Sequence, residues 1–190
     1  YLGRGTSFPL GKEDQLLFDR SIVIRDEPHR MRGLRSRAFD GEGLPTAARN
    51  LVEDGKITGW LLDTASAKQL GLTPTGHASR GGGASGVGAS NLHLAAGSVT
   101  PAALMEGIAD GVYITELIGH GVNPVTGDYS RGASGFLIKD GEIAGPIAEF
   151  TIAGNLIDMF AALVPANDLE FRHGTNAPTL RIDGMTVASS

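Results

Sequence analysis

Residues 111–155 read GVYITELIGHGVNPVTGDYSRGASGFLIKDGEIAGPIAEFTIAGN, and this stretch decides the predicted fold. Val112, Ile114 and the pair Leu117-Ile118 supply the β-branched and apolar residues that are typical of a first strand. Glycines, prolines and polar residues then interrupt the pattern repeatedly, which is typical of a turn between strands. The stretch therefore begins with a strand that runs into a glycine-rich turn.

The second half of the same stretch contains the strongest hairpin signal in the chain, Asp140-Gly141. Glycine adopts positive φ without a steric penalty, and the two-residue turns that match strand twist require it. Residues 134–139 and 142–152 are the predicted strands on either side. Pro146 indicates a sheet edge or a bulge, because proline donates no backbone hydrogen bond.

Further elements are predicted on both sides of this stretch. Residues 46–63 form a second hairpin around Asp54-Gly55, and residues 64–70 form a short helix that starts at Asp63 or Thr64 and ends at Gly71. The remaining predicted strands are residues 21–25, 91–97, 169–173 and 178–182, and the remaining predicted helices are residues 100–109 and 155–163.

The composition favours a β-rich protein over a helix bundle. The chain has 190 residues and 28 glycines, about twice the usual share. We predict an α+β, β-rich fold in which antiparallel sheets form a barrel or sandwich, with two or three short peripheral helices. Residues 1–190 are predicted to form one domain, since this length matches a typical domain.

Charge and cysteine content exclude several function classes. The net charge is −5, and the chain has no cysteine, so disulfides and thiolate zinc sites are excluded. We expect no membrane segment, because no run approaches the roughly 20 apolar residues that a spanning helix needs. Five arginines cluster in residues 25–37, but Asp26 and Glu27 interrupt them. An exposed face or a subunit contact is therefore favoured over a nucleic-acid site.

Residues 72–90 are rich in glycine and serine and poor in apolar residues. Gly81, Gly83 and Gly86 formally match a dinucleotide-binding fingerprint, which requires a strand before it and a helix after it. The flanking sequence predicts a loop and then a strand, so the match is interpreted as chance. A mobile loop over a cleft, within residues 76–90, is the preferred interpretation.

The separated blocks ITELIGHGVNPVTGDYSRGASGF (residues 114–136) and EFTIAGN (residues 149–155) resemble the C-terminal domain of the TldD/PmbA metallopeptidase family, once labelled modulators of DNA gyrase. GVNPVTGDYS is more similar to the PmbA branch, also called TldE. The resemblance extends over almost the whole chain. It implies that residues 1–190 are a C-terminal domain and that the family's N-terminal domain is absent from this chain.

The resemblance also implies a partner and a cofactor. In the TldD branch, a His-Glu-x-x-x-His helix upstream and a cysteine near the C-terminus bind zinc. No cysteine lies in residues 170–177, so this chain is expected to carry no cofactor and to pair with a zinc-bearing TldD-like subunit. His173 stays open as a weak candidate for a zinc ligand in place of that cysteine. The expected complex is a cytoplasmic peptidase that trims peptides or unfolded chains.

The residues themselves support no catalytic site in this chain. No two of the five histidines lie one helical turn apart, as two ligands of a peptidase zinc usually do. Ser134 and Ser85 lack the second glycine of a nucleophile elbow, so a serine hydrolase is disfavoured. The alternative to a peptidase subunit is a non-enzymatic, homo-oligomeric domain that binds peptides or assembles as a homodimer.

The polar turn in the central stretch is the best candidate for contact with peptide substrates. Polar side chains on a glycine-rich turn between strands can line a cleft, and peptides commonly bind by adding a strand to a sheet edge. The opposing interpretation is that the turn only satisfies its own backbone groups. The candidate cleft-lining residues are Asn123, Thr126, Asp128, Tyr129, Ser130 and Arg131.

Overall fold

The computed structural model describes residues 6–80 and 86–189, and β-strands dominate it. The strands are β1 (Ile24–Asp26), β2 (Arg49–Glu53), β3 (Lys56–Ile57), β4 (Ala78–Ser79), β5 (Gly86–Val87), β6 (Leu92–Leu94), β7 (Asp110–Ile118), β8 (Asp128–Lys139), β9 (Glu142–Asn155), β10 (Leu163–Pro165), β11 (Thr175–Asn176), β12 (Leu180–Ile182) and β13 (Thr186–Ser189). The helices are α1 (Thr64–Leu70), α2 (Pro101–Met105) and α3 (Leu156–Ala161). None of these helices is long and apolar enough to cross a membrane.

The central stretch forms a four-stranded antiparallel sheet in the order β13-β9-β8-β7. The predicted hairpin turn is confirmed, because Asp140 and Gly141 both have positive φ, 50° and 83°. The ladder between β8 and β9 is irregular on both sides of Pro146, which itself pairs with Phe136. Glu149 lies at one irregularity with a φ of 57°. The bulge signal was therefore correct for this strand, although the positive φ falls at Glu149.

A second sheet of five short strands has the order β11-β6-β1-β2-β3. The hairpin at Asp54-Gly55 is confirmed as the connection of β2 and β3. The sheet is not purely antiparallel as predicted, since β11 runs parallel to β6. Its apolar core contains Leu17, Phe18, Ile22, Val52, Leu94 and Leu163.

The predicted strand at residues 169–173 is wrong. The Asn176 Oδ1 accepts hydrogen bonds from the backbone N–H groups of Arg172 and His173, both at 2.9 Å. The Asn176 amide in turn donates to the carbonyl of His173 at 2.7 Å. A side chain thereby engages the backbone groups that a strand would use in a ladder, and the segment follows an irregular path.

The three helices are short and lie where they were predicted. Helix α1 has the predicted bounds: Asp63 caps its first turn by accepting from Ser66 N at 2.7 Å, and Gly71 ends it with a φ of 67°. Helix α2 ends earlier than predicted, because the chain turns at Gly107, where φ is 77°. The sheets pack in a sandwich-like arrangement, and the described strands do not close into a barrel.

Candidate functional site

The candidate turn, residues 119–127, is built mainly by its own hydrogen bonds. The Asn123 backbone N–H donates to the carbonyl of Asp128 at 2.8 Å, and the Asn123 Oδ1 accepts from Val125 N at 3.0 Å. Ser130 N donates to the carbonyl of Gly121 at 2.7 Å, and a Cβ at Gly121 would collide with the Ser130 carbonyl. Only glycine therefore allows this close approach of the turn to β8.

Asp128 is the first residue of β8 and follows directly after this turn. Its carboxylate accepts a hydrogen bond from Thr126 Oγ1 at 2.6 Å and another from Asn155 Nδ2 at 3.2 Å. The bond from Thr126, followed by the bond from Asn155, lowers the pKa of Asp128 below its ordinary value. The side chain is exposed, so the turn presents an ionised carboxylate to solvent at neutral pH.

The six candidate residues do not all lie in the turn. Asp128, Tyr129, Ser130 and Arg131 belong to strand β8, which starts six residues before its predicted beginning. Side chains alternate between the faces of a strand, so neighbouring members point to opposite sides.

The two faces of β8 have different environments. Tyr129 packs against the second apolar cluster, which contains Ala133, Phe150 and Ile152, whereas Ser130 is exposed. Arg131 Nη2 donates to the carbonyl of Leu117 at 3.0 Å. That these residues line a peptide cleft stays a prediction.

Strand β7 provides an open sheet edge beside this turn. Within the described residues it pairs only with β8, so its outer backbone groups have no ladder partner. Thr115, Glu116, Leu117 and Ile118 at its end are all exposed. An extended peptide can add to such an edge through main-chain hydrogen bonds, with little dependence on its sequence.

The histidines are dispersed. His77 is fully buried and His93 is 8% exposed, with its ring edge against Phe171 at a centroid distance of 5.1 Å. His29 Nε2 lies 3.0 Å from Thr46 Oγ1, and His173 is exposed. In the part of the chain that the structure describes, no three His, Asp or Glu side chains are placed to hold a metal ion. The described residues therefore do not supply a complete set of zinc ligands by themselves. That His173 provides a single ligand stays a prediction.

Asp26, His77 and Ser90 form a buried polar network. Asp26 and His77 are both 0% exposed, and His77 Nε2 lies 3.0 Å from Asp26 Oδ2. Ser90 donates to the same carboxylate through its N–H at 2.8 Å and its hydroxyl at 2.6 Å. On its other side, His77 Nδ1 lies 2.9 Å from Thr75 Oγ1. Burial alone would raise the pKa of Asp26, but the bonds from His77 and Ser90 outweigh it, so the pKa lies below its ordinary value.

The geometry of this network indicates a structural role and not a catalytic one. The Ser90 hydroxyl donates its hydrogen bond to Asp26 and not to the His77 imidazole, which is the group that would have to activate a nucleophilic serine. All three side chains are closed off from solvent, which leaves no access for a substrate. The network joins β1 to both ends of the glycine-rich loop.

The ends of that loop are therefore part of the core. Gly76, His77 and Ala78 are buried, and β4 pairs with β5 across the loop. Arg37 Nη2 donates to the carbonyl of Gly88 at 2.8 Å. The predicted lid over residues 76–90 and the glycine fingerprint include residues 81–85, which lie outside the described residues. The mobility of that tip stays a prediction.

Trp60 lies in the wall of a groove of about 520 Å³. Leu62, Leu72 and Pro74 form the apolar part of the wall, and Arg49 contributes a cation. The indole is only partly buried.

The sequence reasoning missed Asp26, Ser90 and Asn91, all of which are buried polar residues. In the sequence, Asp26 is visible only as an acidic residue that interrupts the arginine cluster. A signal for it exists, because Ile24 and Asp26 are two residues apart in one strand and therefore share a face. Ser90 and Asn91 follow a glycine-rich loop, and nothing in the local pattern distinguishes them from loop residues.

Comparison with known proteins shows similarity along the whole chain. A family model described as the PmbA/TldA metallopeptidase C-terminal domain matches residues 2–189. The chain is 38% identical over 186 residues to the metalloprotease PmbA of Escherichia coli O157:H7, covering 97% of this chain and 40% of that protein. It is 40% identical over 190 residues to a PmbA homologue of Haemophilus influenzae, covering 100% of this chain and 41% of that protein.

A solved structure agrees with these matches. TldE from Thermococcus kodakarensis superposes with a TM-score of 0.87 at 26% identity, covering 99% of this chain and 44% of that one. The chain thus spans about two fifths of the length of the curated relatives it matches.

Proposed function

Because the chain belongs to the PmbA/TldD metallopeptidase family, we propose that it works as the C-terminal domain of a PmbA-like subunit that does not itself hold the catalytic zinc. In this proposal the chain pairs with a zinc-bearing TldD-like subunit. The complex trims peptides or unfolded chains, and it works in the cytoplasm. This chain supplies binding surface and enclosure, and the sister subunit supplies the metal.

One observation carries the proposal. The chain matches the family's C-terminal domain over residues 2–189, yet it has no cysteine, the zinc ligand that the resemblance to the TldD branch places in this domain. His77 is already engaged by Asp26 and Thr75 in a closed network. His173 is exposed, and its backbone N–H is engaged by Asn176. The absence of that cysteine supports a role beside a metal-bearing chain.

The four-stranded sheet supports a peptide-binding role. The open edge of β7 offers main-chain donors and acceptors to an extended peptide, which suits substrates of varied sequence. The turn at residues 119–127 lies at the end of this strand, and the ionised Asp128 follows directly after it at the start of β8. We propose that Asn123, Thr126, Asp128, Tyr129, Ser130 and Arg131 border the path of the peptide.

The first experiment measures zinc per chain in the natively purified full chain by atomic emission. Its expected result is less than about one tenth of an equivalent per chain. Cleavage of an unfolded polypeptide, such as reduced and alkylated casein, is then measured for each subunit alone and for the mixture. We expect cleavage by the mixture at a rate that exceeds the sum of the two separate rates.

Three outcomes would contradict the proposal in different ways. One tightly bound zinc per chain would make this subunit catalytic, and loss of that zinc in His173→Ala would identify the ligand. Inertness of every mixture, with dimerisation intact, would favour the non-enzymatic peptide-binding or assembly domain. Cleavage of folded proteins as fast as unfolded ones would remove the idea of an enclosed cavity.

A further inference from the structure

The segment of residues 29–39 contains the three most exposed large apolar side chains among the described residues. Met31 is 89% exposed, Leu34 is 74% exposed and Phe39 is 66% exposed. Scattered single apolar residues are normal on a surface, but three within nine residues of one segment indicate a contact site. Methionine, phenylalanine and arginine are also enriched at protein interfaces.

The backbone of this segment is held in place by buried groups. The Asn91 side chain, whose residue is 2% exposed, donates to the carbonyl of Glu27 at 2.8 Å and to Ser36 Oγ at 2.9 Å. Its Oδ1 accepts from Arg35 N at 3.0 Å. The Ser36 hydroxyl donates to the carbonyl of Arg30 at 2.6 Å. The apolar side chains are thus displayed on an ordered frame, which reduces the entropy lost on binding.

A recess lies next to Met31. It has a volume of about 430 Å³ and is lined by Glu27, His29, Arg30, Met31 and Ala48. The Arg30 guanidinium carbon lies 3.2 Å from the centre of the Phe171 ring, so this arginine is fixed by a cation–π contact. The recess offers a place for a side chain of a partner.

The charges of the segment select the kind of partner. Residues 25–37 carry a formal charge of +3, and the rest of the chain carries −8 within the total of −5. Arg25 and Arg30 pair with Glu27, whereas Arg32 and Arg35 make no ion pair within residues 6–80 and 86–189. A symmetric contact between two copies would oppose arginines to arginines, so a different, acidic surface is favoured.

A nucleic acid fits less well than a protein. Among the described residues, only three arginines of the segment make no ion pair, namely Arg32, Arg35 and Arg37, and they can neutralise few phosphates, which the acidic remainder of the chain repels. Exposed methionine and leucine match an apolar protein surface and have no counterpart in a phosphate backbone.

We infer that residues 29–39 form the surface through which this chain contacts its partner subunit, and that the partner presents carboxylates around an apolar patch. The identity of that partner as the sister subunit rests on the proposed function. The arginines Arg32 and Arg35 steer the encounter, and Met31, Leu34 and Phe39 supply the buried contact area.

The test measures binding of the sister subunit to the full chain by surface plasmon resonance. The variant Met31→Ser/Leu34→Ser/Phe39→Ser is expected to weaken the affinity by about 30-fold or more, mainly through faster dissociation. The matched control is Leu16→Ser/Val99→Ser/Val164→Ser, which changes exposed apolar residues outside the segment. The control is expected to bind as the unchanged chain does.

A second variant separates surface contact from a general effect on folding. Arg32→Glu/Arg35→Glu is expected to lower the association rate constant and to flatten its dependence on salt, because steering by unlike charges is lost. A purely structural change would leave the salt dependence unaltered.

A labelling experiment tests occupancy directly. The 190 residues contain no cysteine, so Leu34→Cys introduces a thiol at a known exposed position. Maleimide should label it in the free chain and should be blocked in the complex, while Val164→Cys is labelled in both.

The following outcomes of these experiments would overturn the inference. An intact complex with the triple variant, or continued labelling of Leu34→Cys in it, removes this surface from the contact while the proposed function stands. Loss of self-association in the variant would assign the surface to a second copy. Protection of Leu34→Cys in the free full chain would assign it to another part of the same chain. If the unchanged chain fails to bind the sister subunit, the proposed function fails as well.

Discussion

The two large sheets of this protein are stabilised in different ways. In the four-stranded sheet, β7, β8 and β9 have 9, 12 and 14 residues and are joined by consecutive antiparallel ladders. The strands of the five-stranded sheet have only two to five residues. There, buried side chains such as Asp26 and Asn91 bind backbone groups that are more than 50 residues away in sequence. The first sheet is held by its backbone, and the second depends on a few polar side chains.

This difference predicts where the protein is sensitive to substitution. In the long sheet, the critical positions are glycines at which two backbones approach each other. In the short-stranded sheet, the critical positions are polar residues that cannot lose a partner without leaving another buried group unsatisfied.

The largest expected effect is that of Asp26→Ala. It removes the acceptor for buried His77 and for both donors of Ser90, and we expect a loss of about 3–5 kcal/mol in the free energy of unfolding. Urea denaturation followed by tryptophan fluorescence measures it. The matched control is Asp128→Ala in the long sheet, which removes a carboxylate that also accepts two side-chain bonds but is exposed. The urea midpoint of Asp128→Ala should hardly change. If the two variants lost the same free energy of unfolding, the proposed difference between the sheets would be refuted.

A smaller effect is expected from Gly135→Ala in β8. The added Cβ would collide with the backbone carbonyl of Tyr113 on β7, and backbone atoms cannot move aside as a side chain can. We expect a loss of about 1–3 kcal/mol in the free energy of unfolding. Gly145→Ala is the control in the same sheet, since its Cβ would meet no atom of the described residues within 4 Å. If Gly135→Ala left the free energy of unfolding unchanged, the ladder between β7 and β8 would be able to shift to make room for the added Cβ.

The two Asp-Gly turns sharpen the comparison further. Gly55 and Gly141 both have positive φ, 73° and 83°, so alanine at either position should cost about 1–2 kcal/mol in the free energy of unfolding. A Cβ at Gly55 would also lie 2.6 Å from the Phe18 carbonyl, whereas the nearest atom at Gly141 is 3.4 Å away. Thermal unfolding should therefore show a larger loss for Gly55→Ala. The reverse order would contradict the tight packing of the short-stranded sheet.

The smallest expected effect is the dependence of stability on acid. Burial raises the pKa of Asp26, but the hydrogen bonds from His77 and Ser90 lower it by more, so the net pKa is lowered. The folded protein therefore holds the Asp26 proton more weakly than the unfolded chain does. This contribution to stability is complete above the unfolded pKa of about 4 and is lost as pH falls through the lower folded pKa. Unfolding midpoints between pH 5 and about pH 2.5 should fall less steeply for Asp26→Asn than for the unchanged chain. Equal slopes would assign the acid sensitivity to other carboxylates, such as Asp40.

The candidate site was predictable to the extent that it is local. The pattern of glycines, prolines and polar residues alone predicts the turn that contains Asn123 and Thr126. The extension of β8 back to Asp128 was missed, because Gly127-Asp128 resembles a turn and only pairing with β9 makes Asp128 part of a strand. The same pairing places Tyr129 against the apolar cluster and Ser130 in solvent.

The sequence by itself determined the two hairpins, helix α1 and the β-rich class, because Asp-Gly turns, caps and alternation act within a few residues. Only the tertiary structure decided the parallel pairing of β11 with β6, the irregular path of residues 169–173 and the network of Asp26, His77 and Ser90. These features join residues that are far apart in sequence. Their stability comes from satisfying buried polar groups, which no local pattern of residues can specify.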